Sequence, residues 1–351
     1  MLQHPNVHPE WSQWSEAQTL HLVGVYSNPF RWRARREHFN DFIRHIRKTP
    51  NVRLHVVELA YGDRPFEVSD ENDADAVRVR TDCEMFHKEN LINLGVSRFP
   101  DGWKYGGYSD GDFHFTRHDW ALEAIHMLQH HEFVQLFSNY SDLTSKTATS
   151  DTGHRQYRHN SSFAWNYLHQ REFLSIKQAQ LKTDPYYGQA LPTKEFPFGH
   201  APGAPGGAWA WRQSAFNSVG GLLDTCVMGS GDWWMAFGLI GQKTMLRGDN
   251  SIRSYNDDIR NWQKRAAALT ANIGCVDNFA LHFYHGAVSN RAYGTRESIL
   301  LNHKFDPRLD ITKDWQGVYR WTGNKPKLRD AMREVFINRH EDDPSPMPAV
   351  R

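Results

Sequence analysis
Apolar residues along this chain alternate between short continuous runs and helical stripes, with Gly-, Pro- and Asn-bearing turns between them. Residues 19–26 (TLHLVGVY) form an apolar run that stops at Ser27-Asn28-Pro29, which predicts a strand entering a turn. Phe39, Phe42, Ile43 and Ile46 recur at i, i+3, i+4 and i+7, the stripe of an amphipathic helix that Pro50 and Asn51 close. Residues 52–60 (VRLHVVELA) and 76–80 (AVRVR) read as further strands, and 84–95 as a helix with Gly95 near its C-terminus. Residues 103–109 lead into Asp110-Gly111-Asp112, a helix is expected over about 119–131, and residues 132–138 (EFVQLFS) read as another strand. Strand and helix in this alternation predict an α/β fold, a mostly parallel central sheet flanked by helices. Ligands of such sheets sit at the carboxyl ends of the strands, which puts Asn28 and the Asp110–Asp112 pair where a ligand belongs.

The second half is patterned differently. Residues 139–206 are rich in Ser, Thr, Pro and Gly and read as long loops around one or two short elements. Order returns at 208–216, followed by Gly220-Gly221 and Gly229-Ser230-Gly231-Asp232-Trp233-Trp234. Helices are expected near 256–271 and over 327–339, the latter with Leu328, Met332, Val335 and Phe336 on its apolar face. The expected organisation is an N-terminal arm (1–18), one domain over 19–340 divided at 138/139 into a ligand-binding and a catalytic half, and a Pro-rich flexible tail (341–351).

Composition narrows the class. The 351 residues carry 41 Lys and Arg against 40 Asp and Glu, a net charge of +1, which argues against holding nucleic acid through a broad basic surface. Three cysteines without a CxxC pair read as reduced thiols in a cytoplasmic compartment. No run of apolar residues is long enough to span a membrane. Neither a G-x-G-x-x-G nor a P-loop pattern follows the first strand, so the usual dinucleotide and ATP fingerprints are missing.

Four groups of residues carry candidate chemistry. Asp110 and Asp112 flank a glycine at a strand end, where two carboxylates can bind a divalent cation and the cation can hold a diphosphate; a solvated turn has the same pattern. His282 and His285, three apart, can reach one metal from a bend or a helical turn, or be unrelated members of a set of 20 histidines. Arg291, Tyr293 and Arg296 follow them and could reach phosphate oxygens, or simply open a basic helix. Asp232 fits either a helix cap or a general base, with Trp233 and Trp234 as aromatic faces for a sugar. The basic run at Arg31, Arg33, Arg35 and Arg36 reads first as a solvated face.

Taken in order, these pieces resemble the GT-A glycosyltransferases, particularly those with a β-1,4-galactosyltransferase-like C-terminal half. Phe86-His87-Lys88-Glu89-Asn90-Leu91-Ile92-Asn93-Leu94-Gly95 looks like that family's helix before the metal motif, and Asp110-Gly111-Asp112 like its D-x-D. Trp209 to Leu223 resembles its strand, aromatic-led helix and Gly-Gly turn, and Gly229-Ser230-Gly231-Asp232 its Gly-rich acidic loop. A closer resemblance, over roughly residues 20–341, is to bacterial and phage glycosyltransferases, through Glu58 to Phe66, HKENLINLG, and the stretch from His285-Gly286 to Phe305-Asp306-Pro307. Two departures stand out. The acidic loop has one acid, Asp232, where the galactosyltransferases have a longer run, and His282 stands where they usually have Met, which shifts the site toward harder metals.

The resemblance implies a GT-A fold and an inverting transferase that moves a sugar from a nucleotide donor, a UDP-sugar, to an acceptor hydroxyl, with Mn²⁺ or Mg²⁺ as cofactor. It implies that Ser27, Asn28 and Arg31 meet the nucleotide, with Lys88 and Asn93 nearby and Asp110 on ribose or metal. Asp112, His282 and His285 would hold the cation, and Asp232 would be the base. The expected acceptor is a surface glycan or lipid-linked sugar, or a hydroxylated base in phage DNA. The competing readings are a metal-dependent hydrolase on the same Asp/His cluster and a non-catalytic nucleotide-sugar-binding protein.

Overall fold
The computed structural model describes residues 19–145, 156–169, 203–244, 246, 252–292 and 295–344. Its centre is a seven-stranded sheet built from β1 (Leu20–Ser27), β2 (Val52–Tyr61), β3 (Ala76–Thr81), β4 (Tyr105–Ser109), β6 (Phe133–Gln135), β9 (Ala208–Arg212) and β10 (Ile273–Cys275). The spatial order is β10-β6-β9-β4-β1-β2-β3. All strands run parallel except β9, which pairs antiparallel with both β4 and β6. This is the mostly parallel α/β architecture that the strand–helix alternation predicts.

The sheet is buried on both faces, which is why its strands read as continuous apolar runs. On β1, Leu20, Leu22 and Tyr26 belong to one core with Phe39, Phe42, Ile43 and Ile46 of helix α1 (Arg33–Ile46). Val23 points the other way, into a second core with Leu91 and Ile92 of helix α2 (Lys88–Val96). Each fully buried Phe or Leu in these layers contributes roughly 1.5–3 kcal/mol.

Three boundaries differ from expectation for local reasons. Helix α2 starts at Lys88 instead of 84, and the Phe86 N–H ahead of it bonds to the Val227 carbonyl at 2.9 Å. Helix α3 (Trp120–Met127) stops before 131, its last turn closed by a tighter bond from Gln129 N to His126 O. The largest difference lies in 139–206, where long loops around one or two short elements were expected. The described part holds β7 (Asn139–Leu143), β8 (Gln156–Ser161) and helix α4 (Phe163–His169). With β5 (Phe113–Phe115) and β11 (Phe279–His282) they form a second sheet, β5-β11-β7-β8. The sequences of β7 and β8, NYSDL and QYRHNS, lack the apolar alternation that marks a strand, because neighbouring strands and side chains satisfy the polar groups.

Helices α5 (Gln213–Val219), α6 (Gly231–Leu239), α7 (Arg253–Ala267), α8 (Arg296–Asn302), α9 (Pro307–Asp310) and α10 (Pro326–Ile337) cover the remaining surface with a β12–β13 hairpin (Ile311–Lys313, Tyr319–Trp321). The end of the described chain is docked where a tail was expected. Asp342 accepts from the N–H groups of Arg33 and Ala34 at 3.0 and 2.7 Å, capping α1, and Glu341 is buried against Arg35 and Arg339. The expected N-terminal arm and the residues from 345 onward lie outside the described residues.

Candidate active site
A cavity of about 370 Å³ opens at the carboxyl ends of β1 and β4. Its size is that of a small-ligand site. Ser27, from the end of β1, and Asp110, Gly111 and Asp112, beyond the end of β4, line one wall. Gly111 is needed there because the Phe39 ring packs so closely that a Cβ would lie 2.3 Å from it.

Strand register then assembles a cluster that no local motif contains. In the second sheet, His282 of β11 pairs with Phe113 of β5 on one side and Asp142 of β7 on the other. The Phe283 N–H bonds to the Asp112 carbonyl at 2.9 Å, which ties the two segments together. As a result His285 Nε2 lies 3.1 Å from an Asp112 oxygen, and His282 Nε2 lies 3.7 Å from the same carboxylate and 3.2 Å from His285 Nε2. The histidines sit at a strand end and the bend after it, so the short spacing works through a bend and not a helical turn.

Each member has a partner behind it. Nδ1 of His282 is 2.6 Å from Asp142, leaving Nε2 turned to the cluster. Asp142 is itself held by Arg158 at 2.5 Å and Asn160 at 3.2 Å. Arg339 lies 3.2 Å from Nδ1 of His285 and holds that ring from behind. Burial alone would raise the Asp112 carboxyl, but His285 and His282 beside it hold it well below the usual carboxylate range. Burial works against charge on His282, yet Asp112 and Asp142 together push it up to about 9. Burial, with Arg291, pushes His285 down.

A metal fits this donor set. The nitrogen and oxygen atoms of Asp112, His282 and His285 lie within 4.8 Å of one another, and the other Asp112 oxygen is buried without a hydrogen-bond partner. Two imidazoles and a carboxylate suit Mn²⁺ among the harder divalent ions. The carboxylate behind His282 is the usual outer-shell support of a metal-bound histidine. Asp110, two residues away, instead receives Lys88 at 3.2 Å. Burial opposes charge on Lys88, but Asp110 above all keeps it protonated.

Elsewhere on the cavity wall stands Asp232, in the first turn of α6, preceded by Ser230 in the left-handed region (φ 67°). Its Oδ1 accepts the Trp233 N–H at 2.9 Å, but the N-cap position is Ser230, so Asp232 stands inside the first turn and is not the cap. Oδ2 lies over Gly206, where a Cβ would be 2.4 Å away. Arg291 and Arg296 are buried and line the cavity, the latter donating to Ser230 Oγ at 3.1 Å.

Other expected residues fall elsewhere. Trp233 and Trp234 are core residues, Trp233 packed on Phe237, and neither lines the cavity. Asn93 spends its amide on the Leu222 backbone, donating at 3.0 Å and accepting at 2.8 Å. Asn28 likewise bonds Tyr26 and the Trp32 backbone, and Arg31 is exposed beside Glu67. None of these three lines the cavity. Tyr293 lies outside the described residues.

Sequence reasoning missed Asp142, Glu89, Arg339 and Glu341. Asp142 is 140 positions from its imidazole, and only strand register brings them together. Glu89 had a local signal, since it sits beside Lys88 in the motif already singled out.

No family model and no curated protein matches this chain. Among solved structures, a point mutant of Drosophila beta-1,4-galactosyltransferase 7 in complex with manganese, UDP-Gal and xylobiose is 12% identical over 74% of this chain, with TM-score 0.30. This chain covers 65% of that one, less than two thirds of its length. The catalytic domain of the Drosophila enzyme, in complex with xylobiose, is 11% identical over 89% of this chain and 97% of that one, with TM-score 0.36. At TM-scores this low the likeness carries no argument about what this chain does.

Proposed function
We propose that this chain is a metal-dependent, inverting glycosyltransferase of the GT-A type that moves a sugar from a nucleotide donor, a UDP-sugar, to an acceptor hydroxyl. The observation that carries the reading is the Asp112–His282–His285 cluster opening on the same cavity as Asp232. A divalent cation, Mn²⁺ or Mg²⁺, held by these three side chains would supply positive charge for a departing diphosphate.

The chain's own residues would do the rest. Asp232 takes the proton from the acceptor hydroxyl as its oxygen attacks the anomeric carbon, and the bond to the diphosphate oxygen breaks on the opposite face. Attack from the face opposite the leaving group inverts the anomeric centre. Ser27 and Lys88 line the nucleotide side, and Arg291 and Arg296 place cationic charge on the wall for phosphate oxygens.

The acceptor is an alcohol, either on a glycan or lipid-linked sugar or on a hydroxylated base in phage DNA. The basic run gives the nucleic-acid choice little support: Arg35 is neutralised by Glu341, and Arg31 and Arg33 face Glu67 and Glu37. Binding that weakens steeply with salt would favour DNA, and flat salt dependence a glycan. We place the protein in the cytoplasm, with Cys83, Cys226 and Cys275 as buried free thiols.

The test is binding and slow hydrolysis of a panel of nucleotide sugars with Mn²⁺, comparing the intact protein with Asp112→Ala and His285→Ala. One donor bound or hydrolysed, and lost in both variants, supports the reading. No nucleotide sugar bound with any metal overturns it, and a hydrolytic metal site becomes the better account.

A further inference from the structure
Glu89 is a buried acid that the proposed chemistry leaves without a task. It is the second residue of α2, lines the same cavity as Asp232, and is 4% exposed. Its carboxylate packs directly on Gly231, the residue before Asp232: a Cβ there would meet Oε1 at 2.9 Å and Cδ at 3.0 Å. Gly206 performs the same service for Asp232. Two glycines thus leave room for two carboxylates, one from the start of α2 and one from the start of α6.

Among the described residues no cation lies within ion-pairing distance of Glu89, and the neighbouring Lys88 is turned to Asp110. A buried carboxyl held like this costs stability unless a ligand completes it. The ligand chemistry follows from the surroundings. Asp110, Asp232 and Glu89 together repel an anion, so the phosphates belong with the metal cluster and the arginines. What an uncompensated carboxylate recognises beside a base that deprotonates an alcohol is a neutral donor of hydrogen bonds, a sugar hydroxyl.

We propose that Glu89 is a specificity-determining residue that accepts hydrogen bonds from hydroxyls of the transferred sugar, holding its ring beside Asp232. The inference rests on the transferase reading above and adds the residue that reads the sugar. It also gives a second source for the acidity that the single-acid loop at Asp232 lacks. Here the carboxylate comes from a helix more than a hundred residues earlier in the chain.

The experiment is titration calorimetry with Mn²⁺ and either UDP, UDP-glucose or UDP-galactose, on the intact protein, Glu89→Ala and Glu89→Gln. The intact protein binds one of the two sugars about tenfold more tightly than UDP, the increment of a hydrogen bond to a charged group. Glu89→Ala loses this increment while UDP affinity stays within about twofold, and the better sugar's monodeoxy analogues reproduce the loss in the intact protein at one hydroxyl. Glu89→Gln, which keeps the volume, loses part of it and guards against a folding defect in the alanine variant. If the intact protein binds UDP but gains nothing from either sugar, or if both variants keep the full increment, Glu89 does not read the sugar and the transferase reading stands. If the intact protein binds none of the three, the transferase reading with a UDP donor fails on the unsubstituted chain, and this inference with it.

Discussion

The Asp112–His282–His285 cluster and the acid pair line one cavity, yet they are built on opposite plans. Around Asp112, His282 and His285 nearly every polar atom has a partner: Asp142 behind one imidazole, Arg339 behind the other, Arg158 and Asn160 behind Asp142. Around Glu89 and Asp232 the neighbours are glycines, and the acids face the cavity. The first plan fixes geometry before a ligand arrives. The second leaves hydrogen-bonding capacity for the ligand to fill. The contrast teaches that burial of charge reads differently according to what stands behind it. A carboxylate with partners on every side is scaffolding for its neighbour, and on the proposed reading one with room beside it is a contact for substrate.

The largest effect that would break this comparison is at Asp232. Asp232→Asn is expected to lower transfer by 10²–10⁴-fold while metal-dependent donor binding remains, read by turnover and by calorimetry. Unchanged turnover would remove Asp232 from the chemistry.

Next comes the pH dependence of stability at Glu89. Burial, opposed by Lys88 and reinforced by Asp232, raises its carboxyl from 4.5 to about 7. The folded value lies above the unfolded one, so its stabilisation is complete below about pH 4.5 and is lost as pH rises through 7. The full loss is on the order of 3 kcal/mol. Denaturant unfolding at pH 5 and pH 8 should show Glu89→Gln losing less stability than the intact protein over that interval. Equal losses would mean that Glu89 is ionised throughout.

Smaller again is the outer shell of the metal cluster. Asp142→Asn keeps the size of the side chain but not the charge behind His282, and Mn²⁺ affinity should fall 10–100-fold. Full affinity would show that strand register alone orients the imidazole.

The smallest effect sharpens the comparison from outside. Asn93→Ala removes two hydrogen bonds to the Leu222 backbone. It should cost about 1–3 kcal/mol of stability and leave donor binding unchanged, since the side chain does not reach the cavity.

The legibility of this protein in its sequence follows the same division. The apolar runs of β1 and β2 and the stripe of α1 announced a two-faced sheet, because burial on both faces demands apolar residues at every position. Asp110-Gly111-Asp112 was legible as a strand-end motif. The close pair His282 and His285 was legible as a possible ligand set, although its geometry comes from a bend. The second sheet was not legible. Its strands Asn139–Leu143 and Gln156–Ser161 owe their pairing to neighbours far away in the chain and to side-chain bonds such as Ser161 to Asn139 at 3.1 Å, with no hydrophobic period to mark them. Trp233 and Trp234 misled for the converse reason. Aromatic residues beside a candidate base suggest a stacking platform, but a helix that starts at Gly231 rotates both rings into the core.

The docking of residues 339–342 has a consequence for how the protein is made. Arg339 reaches His285, Glu341 joins Arg339 to Arg35, and Asp342 caps the helix that follows the first strand. Arg33, Ala34 and Arg35, at the start of that helix, emerge from the ribosome more than three hundred residues before the side chains that tie them to the Asp112–His282–His285 cluster. A nascent chain that stops short of 339 therefore carries both histidines and Asp112 but lacks the clasp around them. The Asp112–His282–His285 arrangement receives its last supporting contact only once Arg339 has been made.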